Sequence, residues 1–476
     1  MSRFDSEVQD EIMDKLIPVH IGLMGHIDHG KTALARVLSE QVSTAGLDKH
    51  PQAQQRGITI DLGFTMFTLD RFLVTLVDAP GHADLIRSVV AGANIIDSAI
   101  LVVAADEGPK IQTGEHLVIL NSLGVKSIVI AITKIDLVNK DRITKVESEM
   151  KHIVRDAGFH TFEFVHVSAL DKTGIDELRE SLLRVLVPRP RKKEGPVLMP
   201  IDHAFPIKGH GTVVTGTILR GHLRIDDLME IVPLGRTGKV RSIQTFSKNR
   251  TESSAGDRVG VNLPDIDHTQ ITRGDYLCTP GTITQSSSMF IHIKINPLYK
   301  GRVTKRMIVT AAIGMPIANA QILPYEISGS SKIVLDFVRS DEFDAALLLQ
   351  KPIAIDSDAK ILLLRTDLPP SQMRIIGSGS IIEVVSGIKL NRKKTRIGRV
   401  QRIRENDSLV EGLASNKRVA ESLTGVNVYT EDNIKGVVKA PFGTRGVVSV
   451  IFDAPVIENA SVYYETLVEE EYNFGR

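Results

Sequence analysis

Eight residues, GHIDHGKT at 25–32, carry the plainest chemistry in the chain. Gly25, Gly30, Lys31 and Thr32 fit the phosphate-loop pattern of Gly, four residues, Gly-Lys-Thr. In such a loop backbone N–H groups and a helix N-terminus hold phosphates, with His26, Asp28, His29 and Ala33 lining the cradle. Lys31 would reach the outer phosphates, and the Thr32 hydroxyl would ligate Mg²⁺. DAPGH at 78–82 ends the apolar run LVTLV and puts Asp78 where it would hold Mg²⁺ through water. Gly81 lacks a Cβ and can turn its peptide towards a terminal phosphate. RGITI at 56–60 offers Thr59 as a second hydroxyl for the metal when a γ-phosphate is present.

Base recognition has its own motifs. TKID at 133–136 follows the apolar run IVIAI. Asp136 would accept from both N1 and N2 of guanine, a contact that adenine does not offer, and the aliphatic stem of Lys134 would cover the base. Ser168, Ala169 and Leu170 follow another apolar run and would approach the base through backbone N–H groups. Five short motifs in this order favour GTP over ATP. His26-Ile27-Asp28-His29 resembles a metal site, but no further ligands are spaced nearby, so phosphate-facing side chains are the better reading. His82 follows Gly81 and would point at the γ-phosphate, where it would orient the attacking water. The plainer alternative is a surface histidine in a mobile switch.

These residues need a frame. From 18 to about 187, apolar strands at 19–24, 65–69, 73–77, 99–104, 127–132 and 162–167 alternate with helical stretches at 31–41, 83–93, 112–123, 141–157 and 174–187. That alternation predicts an α/β domain on a mostly parallel sheet. The polar stretch 42–57 reads as a long functional loop, and residues 1–17 as a short amphipathic extension. PRPRKKEGP at 188–196 reads as a linker. Beyond it short strand-like segments broken by Gly, Pro and Asp predict three β-barrel-like domains. The expected division is 1–196, 197–282, 283–385 and 386–476.

Composition excludes several classes. The 476 residues, 42% hydrophobic and 24% charged, belong to an ordinary globular chain of three or four domains. A net charge of +1 leaves any nucleic-acid surface to local clusters. The single cysteine, Cys278, excludes internal disulfides and a cysteine-rich zinc site. The polar N-terminus has no export core, and no run reaches the ~18 apolar residues of a membrane span, so a cytoplasmic monomer is expected. One local cluster exists: KLNRKKTRIGRVQRIR at 389–404 has eight basic residues and no acidic one. It reads either as a face for a phosphate backbone or as a solvated linker. No aromatic platform accompanies it in the sequence, which argues against stacking of single strands.

In series, GHIDHGKT, RGITI, DAPGH and TKID resemble the translational GTPases of the elongation factor Tu lineage. The longer runs RGITIDLGF (56–64), VDAPGHADLIRSVV (77–90), DEGPKIQTGEH (106–116) and MPIDHAFPIKGHGTVVTGT (199–217) resemble the selenocysteine-specific elongation factors, in their shorter archaeal and eukaryal form. The likeness is dense to residue 260, returns at RTDLPP (365–370), and thins in VEGLASNKRVAE and KAPFGTRGVV. It implies a GTPase that brings selenocysteinyl-tRNA to the ribosome at a recoded UGA codon. It implies that His82 is the hydrolytic residue, beside an apolar gate of Ile27 and Ile58. It places Asp202, His203 and Arg241 around the selenocysteinyl group. A selenol is largely ionised at neutral pH, so His203 and Arg241 would attract it over serine, while Asp202 binds the amino group or orients His203. Thr133 departs from the commonest base motif, which has Asn. The partner of the last domain stays open among an mRNA selenocysteine-insertion element, its adaptor protein and the ribosome. The rivals are the gamma subunit of the eukaryal-type initiation factor 2, which usually carries a cysteine-rich zinc knuckle, and a GTP-dependent RNA scaffold in which hydrolysis is incidental.

Overall fold

The structure, a computed structural model, describes residues 16–39, 41–42, 63–78, 95–207, 209, 211–245, 248–369 and 371–475. Residues 1–15 of the expected extension 1–17, most of the loop 42–57 and the helix 83–93 lie outside them, as do Ile58, Thr59, Gly81 and His82. The described residues form two compact units: Met1–Leu323 with Phe337–Ser386, and Pro324–Asp336 with Gly387–Phe474.

The first unit begins with a sheet of β1 (Ile17–Gly25), β2 (Gln41–Val42), β3 (Gly63–Leu69), β4 (Phe72–Asp78), β5 (Ser98–Ala104), β6 (Ser127–Thr133) and β7 (Thr161–His166). Their order is β2-β3-β4-β1-β5-β6-β7, with β4, β1, β5, β6 and β7 parallel and β3 antiparallel to β4. Helices α1 (Lys31–Leu38), α2 (Ile111–Ser122), α3 (Lys140–Asp156) and α4 (Ile175–Val185) accompany them. β1 and β5 are buried almost without alternation because helices cover both faces of a parallel sheet. The chain order reverses around β1, whose neighbours are β4 and β5. Ligands of open α/β sheets bind beyond the carboxyl ends of the strands at such a point.

Helix ends differ from the expectation for local reasons. α1 stops at Leu38, three residues short of the periodic pattern. Ser39 turns extended there, and its hydroxyl donates to Ala35 O and shares a 2.6 Å bond with the Thr65 hydroxyl. α4 ends at Val185, and Leu186 is already extended two residues before Pro188.

The stretch 188–196 is pinned rather than loose. The Arg191 guanidinium holds both Asp97 carboxylate oxygens at 2.6 and 2.7 Å, and the Arg189 N–H donates to Asp97 at 3.0 Å. The His20 N–H adds a further donor at 2.8 Å. Charge on this segment therefore answers a buried acid, a role that proline and lysine counts do not reveal.

In the second β domain β8 (Leu198–Ile207) pairs antiparallel with β9 (Gly211–Thr217), β9 with the strand Arg258–Leu263, and that strand with Ser242–Thr245. Val214, Val261, Ile201 and Leu277 lie in its core. A third antiparallel domain packs Met289, Ile291, Ile322, Leu347 and Ile376 around the long strand Thr284–Ile295.

The second unit decides between two readings of the basic run. It lies on the strand Ile388–Ile403 rather than in a linker, and Ile388–Arg399 pair with Ser461–Tyr472. That partner carries acids: Lys389 lies opposite Glu471, and Arg392 Nε donates to Glu470 at 2.8 Å; from the segment Pro324–Asp336, Glu326 meets Lys393 at 3.3 Å. An aromatic pair does accompany the run. Tyr463 lies opposite Ile397 and stacks on Tyr429, with ring centroids 5.6 Å apart. Sequence reading missed it because cross-strand neighbours are remote along the chain. The segment Pro324–Asp336 also belongs to this unit, although it interrupts the third domain in sequence.

Candidate functional site

β1 delivers its C-terminal residue, Gly25, into the loop before α1. Gly25 has φ 148°, and a Cβ there would lie 2.4 Å from the Val102 carbonyl of β5. Asp28 (φ 62°) and Gly30 (φ 86°) are both left-handed, which folds the loop back over the helix start. No side chain caps α1 and no acid sits in its first turn, so its N-terminus suits an anion. Lys31 is buried and donates to Gly25 O at 3.1 Å and to His26 O at 2.8 Å, which centres its ammonium in the loop. Burial lowers its pKa, opposed by the charges of Asp78 and Asp28.

The two loop histidines have different work. His29 is fully buried, and its Nδ1–H donates to Val102 O at 3.3 Å. Burial brings its pKa down to about 4. His26 is half-buried and meets the His29 ring edge-on, with centroids 5.2 Å apart. Burial lowers its pKa too. Among the described residues no group of three or more His, Cys, Asp or Glu side chains is placed to hold a metal. Thr32, partly exposed, and Ala33, exposed, start α1. Asp78 is buried at the end of β4, in register with Leu23, two residues before Gly25. The hydroxyl of Thr32 and the carboxylate of Asp78 are hard oxygen donors, which fits Mg²⁺ sharing its shell with phosphate and water.

The base-side motifs stand at the same edge of the sheet. Thr133 ends β6, and its hydroxyl donates to His29 O at 2.6 Å. The residue therefore stitches the base motif to the phosphate loop rather than facing outward, and it is only 3% exposed. Lys134 is left-handed (φ 57°) and its ammonium reaches Asp106 at 3.4 Å. Asp136 is exposed on the single turn Ile135–Leu137. After β7, the Ser168 N–H donates to Thr173 O at 3.0 Å, while Ala169 and the well-exposed Leu170 complete the loop.

In the second domain Asp202 and His203 are in contact, and Arg241 lies apart from them. Asp202 is buried on β8 and bonds the His203 Nδ1–H at 3.0 Å and the Thr215 hydroxyl at 2.5 Å. Its main partner is the Arg258 guanidinium, through both terminal nitrogens. Burial would raise the Asp202 pKa, but Arg258 and His203 outweigh it and hold the carboxyl at about 2. Arg258 lies over the ring of Phe64, 3.4 Å from its centroid, and His203 meets that ring edge-on at 6.4 Å. Phe64 belongs to β3, next to Gly63, which pairs with Asp78. Arg241 is exposed just before the strand Ser242–Thr245, three strands across the sheet from β8. The guanidinium that pairs with Asp202 is that of Arg258, 56 residues away in the chain. No local motif flags Arg258, because only strand pairing sets it beside β8.

Comparison with known proteins bears on the fold and the family. The model of the elongation factor Tu GTP binding domain matches residues 18–188, and that of elongation factor Tu domain 2 matches 211–278. The model of domain III of the archaeal selenocysteine-specific elongation factor matches 284–385. The selenocysteine-specific elongation factor of Methanocaldococcus jannaschii is 42% identical over 449 residues, 92% of this chain and 95% of its own. The mouse factor is 38% identical over 310 residues, and the match spans about half (53%) of its length. The crystal structure of translation elongation factor SelB from Methanococcus maripaludis with the GTP analogue GppNHp superposes with a TM-score of 0.76 at 36% identity, covering 95% of this chain and 99% of that one. Its apo form gives 0.73 at 38% identity.

Fold and site together define a translational GTPase with an elongation factor Tu-type GTP-binding domain followed by β barrels. Within that class, the chain belongs to the selenocysteine-specific elongation factor family.

Proposed function

We propose that the protein carries selenocysteinyl-tRNA to the ribosome at recoded UGA codons and hydrolyses GTP on codon recognition. The observation that carries this reading is the Asp202–His203–Arg258 cluster under Phe64. All four oxygen-directed contacts of Asp202 are internal, so its role is to orient His203 and Arg258 rather than to grip the amino group. A selenolate then meets the His203 imidazole and the exposed Arg241 guanidinium, while buried Arg258 fixes Asp202, and a seryl hydroxyl brings no charge to them. One or two charge-assisted hydrogen bonds, at about 1.5–3 kcal/mol each, correspond to roughly ten- to several-hundred-fold discrimination.

In the nucleotide site, Lys31 and the loop backbone hold the phosphates, and Thr32 and Asp78 are the described ligands proposed for Mg²⁺, with Thr59 joining in the triphosphate state. Bound Mg²⁺ supplies charge neutralisation at the β- and γ-oxygens. Asp136 reads guanine, Lys134 covers it, and Ala169 and Leu170 offer N–H groups. His82 orients the attacking water after Gly81 turns to the γ-phosphate, with Ile27 and Ile58 as its gate. Action in the cytoplasm as a monomer, and the fourfold division at 196, 282 and 385, belong to the same proposal.

The deciding experiment binds the GTP-loaded protein to one selenocysteine tRNA charged with selenocysteine or with serine. Tighter binding of the selenocysteinyl form by at least tenfold, reduced in Arg241→Ala, supports the pocket. Equal binding of both charged forms moves selection to the tRNA body, and binding of initiator tRNA alone moves the chain's role to initiation.

A further inference from the structure

Helix α2 carries two adjacent polar side chains that are both buried and that serve different partners. His116 accepts the Gly25 N–H through Nδ1 at 3.1 Å. Glu115 takes a bidentate pair from Arg374, Nε to Oε1 at 2.9 Å and Nη2 to Oε2 at 2.6 Å. Arg374 immediately precedes the strand Ile375–Val385 of the third β domain and is buried with Glu115. Around the pair, Leu117 and Val118 of α2 share one apolar cluster with Ala312, Leu362, Leu364 and Ile375 of the third domain and with Met24, the residue before Gly25.

Gly25 is the first residue of the phosphate loop, and its peptide is held from two sides. Its N–H goes to His116, while its carbonyl accepts from the Lys31 ammonium. A backbone at φ 148° against the Val102 carbonyl has little room to move without changing both bonds. We infer that His116 is a positioning residue of the phosphate loop, and that the buried Glu115–Arg374 pair sets it, so that the third β domain governs how tightly the nucleotide is held. The route is contiguous: Arg374, Glu115, its neighbour His116, Gly25, Lys31. Burial keeps His116 neutral, with a pKa of about 3, so Nδ1 stays an acceptor across the working pH range.

The test measures dissociation of a fluorescent GDP, chased with unlabelled GDP, from full-length variants whose melting confirms folding. His116→Leu removes the acceptor and should speed release about tenfold, the worth of one buried hydrogen bond. His116→Asn places Oδ1 where Nδ1 stands and should return the rate to within about twofold of wild type. Arg374→Met alone leaves a buried carboxylate, so it is paired with Glu115→Gln, which removes both charges together. That paired variant should release GDP several-fold faster, and adding His116→Leu to it should bring release only to the rate of His116→Leu alone. Wild-type release from the paired variant would overturn the inference, as would effects that simply multiply in the combined variant.

Discussion

Thr133 has a partner that its place in the motif does not announce. Its position in TKID points to the base, yet its hydroxyl is spent on the His29 carbonyl. Thr133→Val should therefore cost about 1 kcal/mol of loop stability and weaken GDP binding about fivefold, with no change in base preference. Thr133→Ser should bind as wild type, and equilibrium titration separates the two. Asp136 is the complementary case, exposed and ready for guanine N1 and N2. Asp136→Asn replaces an acceptor pair by one acceptor and one donor. GTP affinity should fall at least about a hundredfold, and xanthine nucleotides, with a carbonyl at C2, should now compete. His82 belongs at this scale too: His82→Ala should lower ribosome-stimulated turnover by about 10²–10⁴ while GTP affinity stays put. Loss of affinity in step with turnover would return His82 to a structural role.

Elements decide the next level. The segment 188–196 has the composition of a tether, but Arg191 and Arg189 converge on a carboxylate that β5's approach buries completely. Arg191→Met leaves Asp97 in the interior with only N–H donors. That should cost about 3 kcal/mol or more and lower the melting temperature by several degrees, a loss that Arg191→Met with Asp97→Asn should largely restore. β3 also has a double duty. Its neighbour β4 ends in Asp78 at the nucleotide, while its own Phe64 supports Arg258. One hairpin thus touches both the phosphate side of the site and the cluster around Asp202.

For the whole molecule, acid is the informative stress. His20, His29 and His116 are buried and neutral, with pKa values of about 4, 4 and 3. His20 joins domains: a carbonyl only accepts, so its Nε2 carries the proton donated to Gly256 O at 3.0 Å. The unfolded chain titrates its histidines near 6.5. Between about pH 6.5 and 4 the unfolded state binds more protons, so stability falls as the pH falls, by up to about 1.4 kcal/mol per pH unit for each histidine. Asp202 works lower down: its folded pKa of about 2 lies below the ordinary value, so its contribution is lost as pH drops from about 4 through 2. Melting followed from pH 7 to 5 should show a steep loss, reduced by about a third in His20→Asn. A flat profile to pH 5 would contradict the burial of these groups. Among the described residues no helix is long and apolar enough to cross a membrane.

Short-range order was enough for the nucleotide site. A glycine loop, an acid ending an apolar strand and a base motif are each spaced within a few residues, and a parallel sheet must carry them to one edge. The α/β alternation and the β-rich remainder follow from side-chain periodicity, which the chain displays locally. Register and neighbour are not local. Arg258 reaches Asp202 across 56 residues and Arg374 reaches Glu115 across 259, and no spacing rule predicts such pairs. The run DEGPKIQTGEH brought Glu115 and His116 into view only as part of a likeness. Their partners, and the pairing of Asp202 with Arg258, follow from which strands lie side by side and from the cost of burying a charge without its counterion.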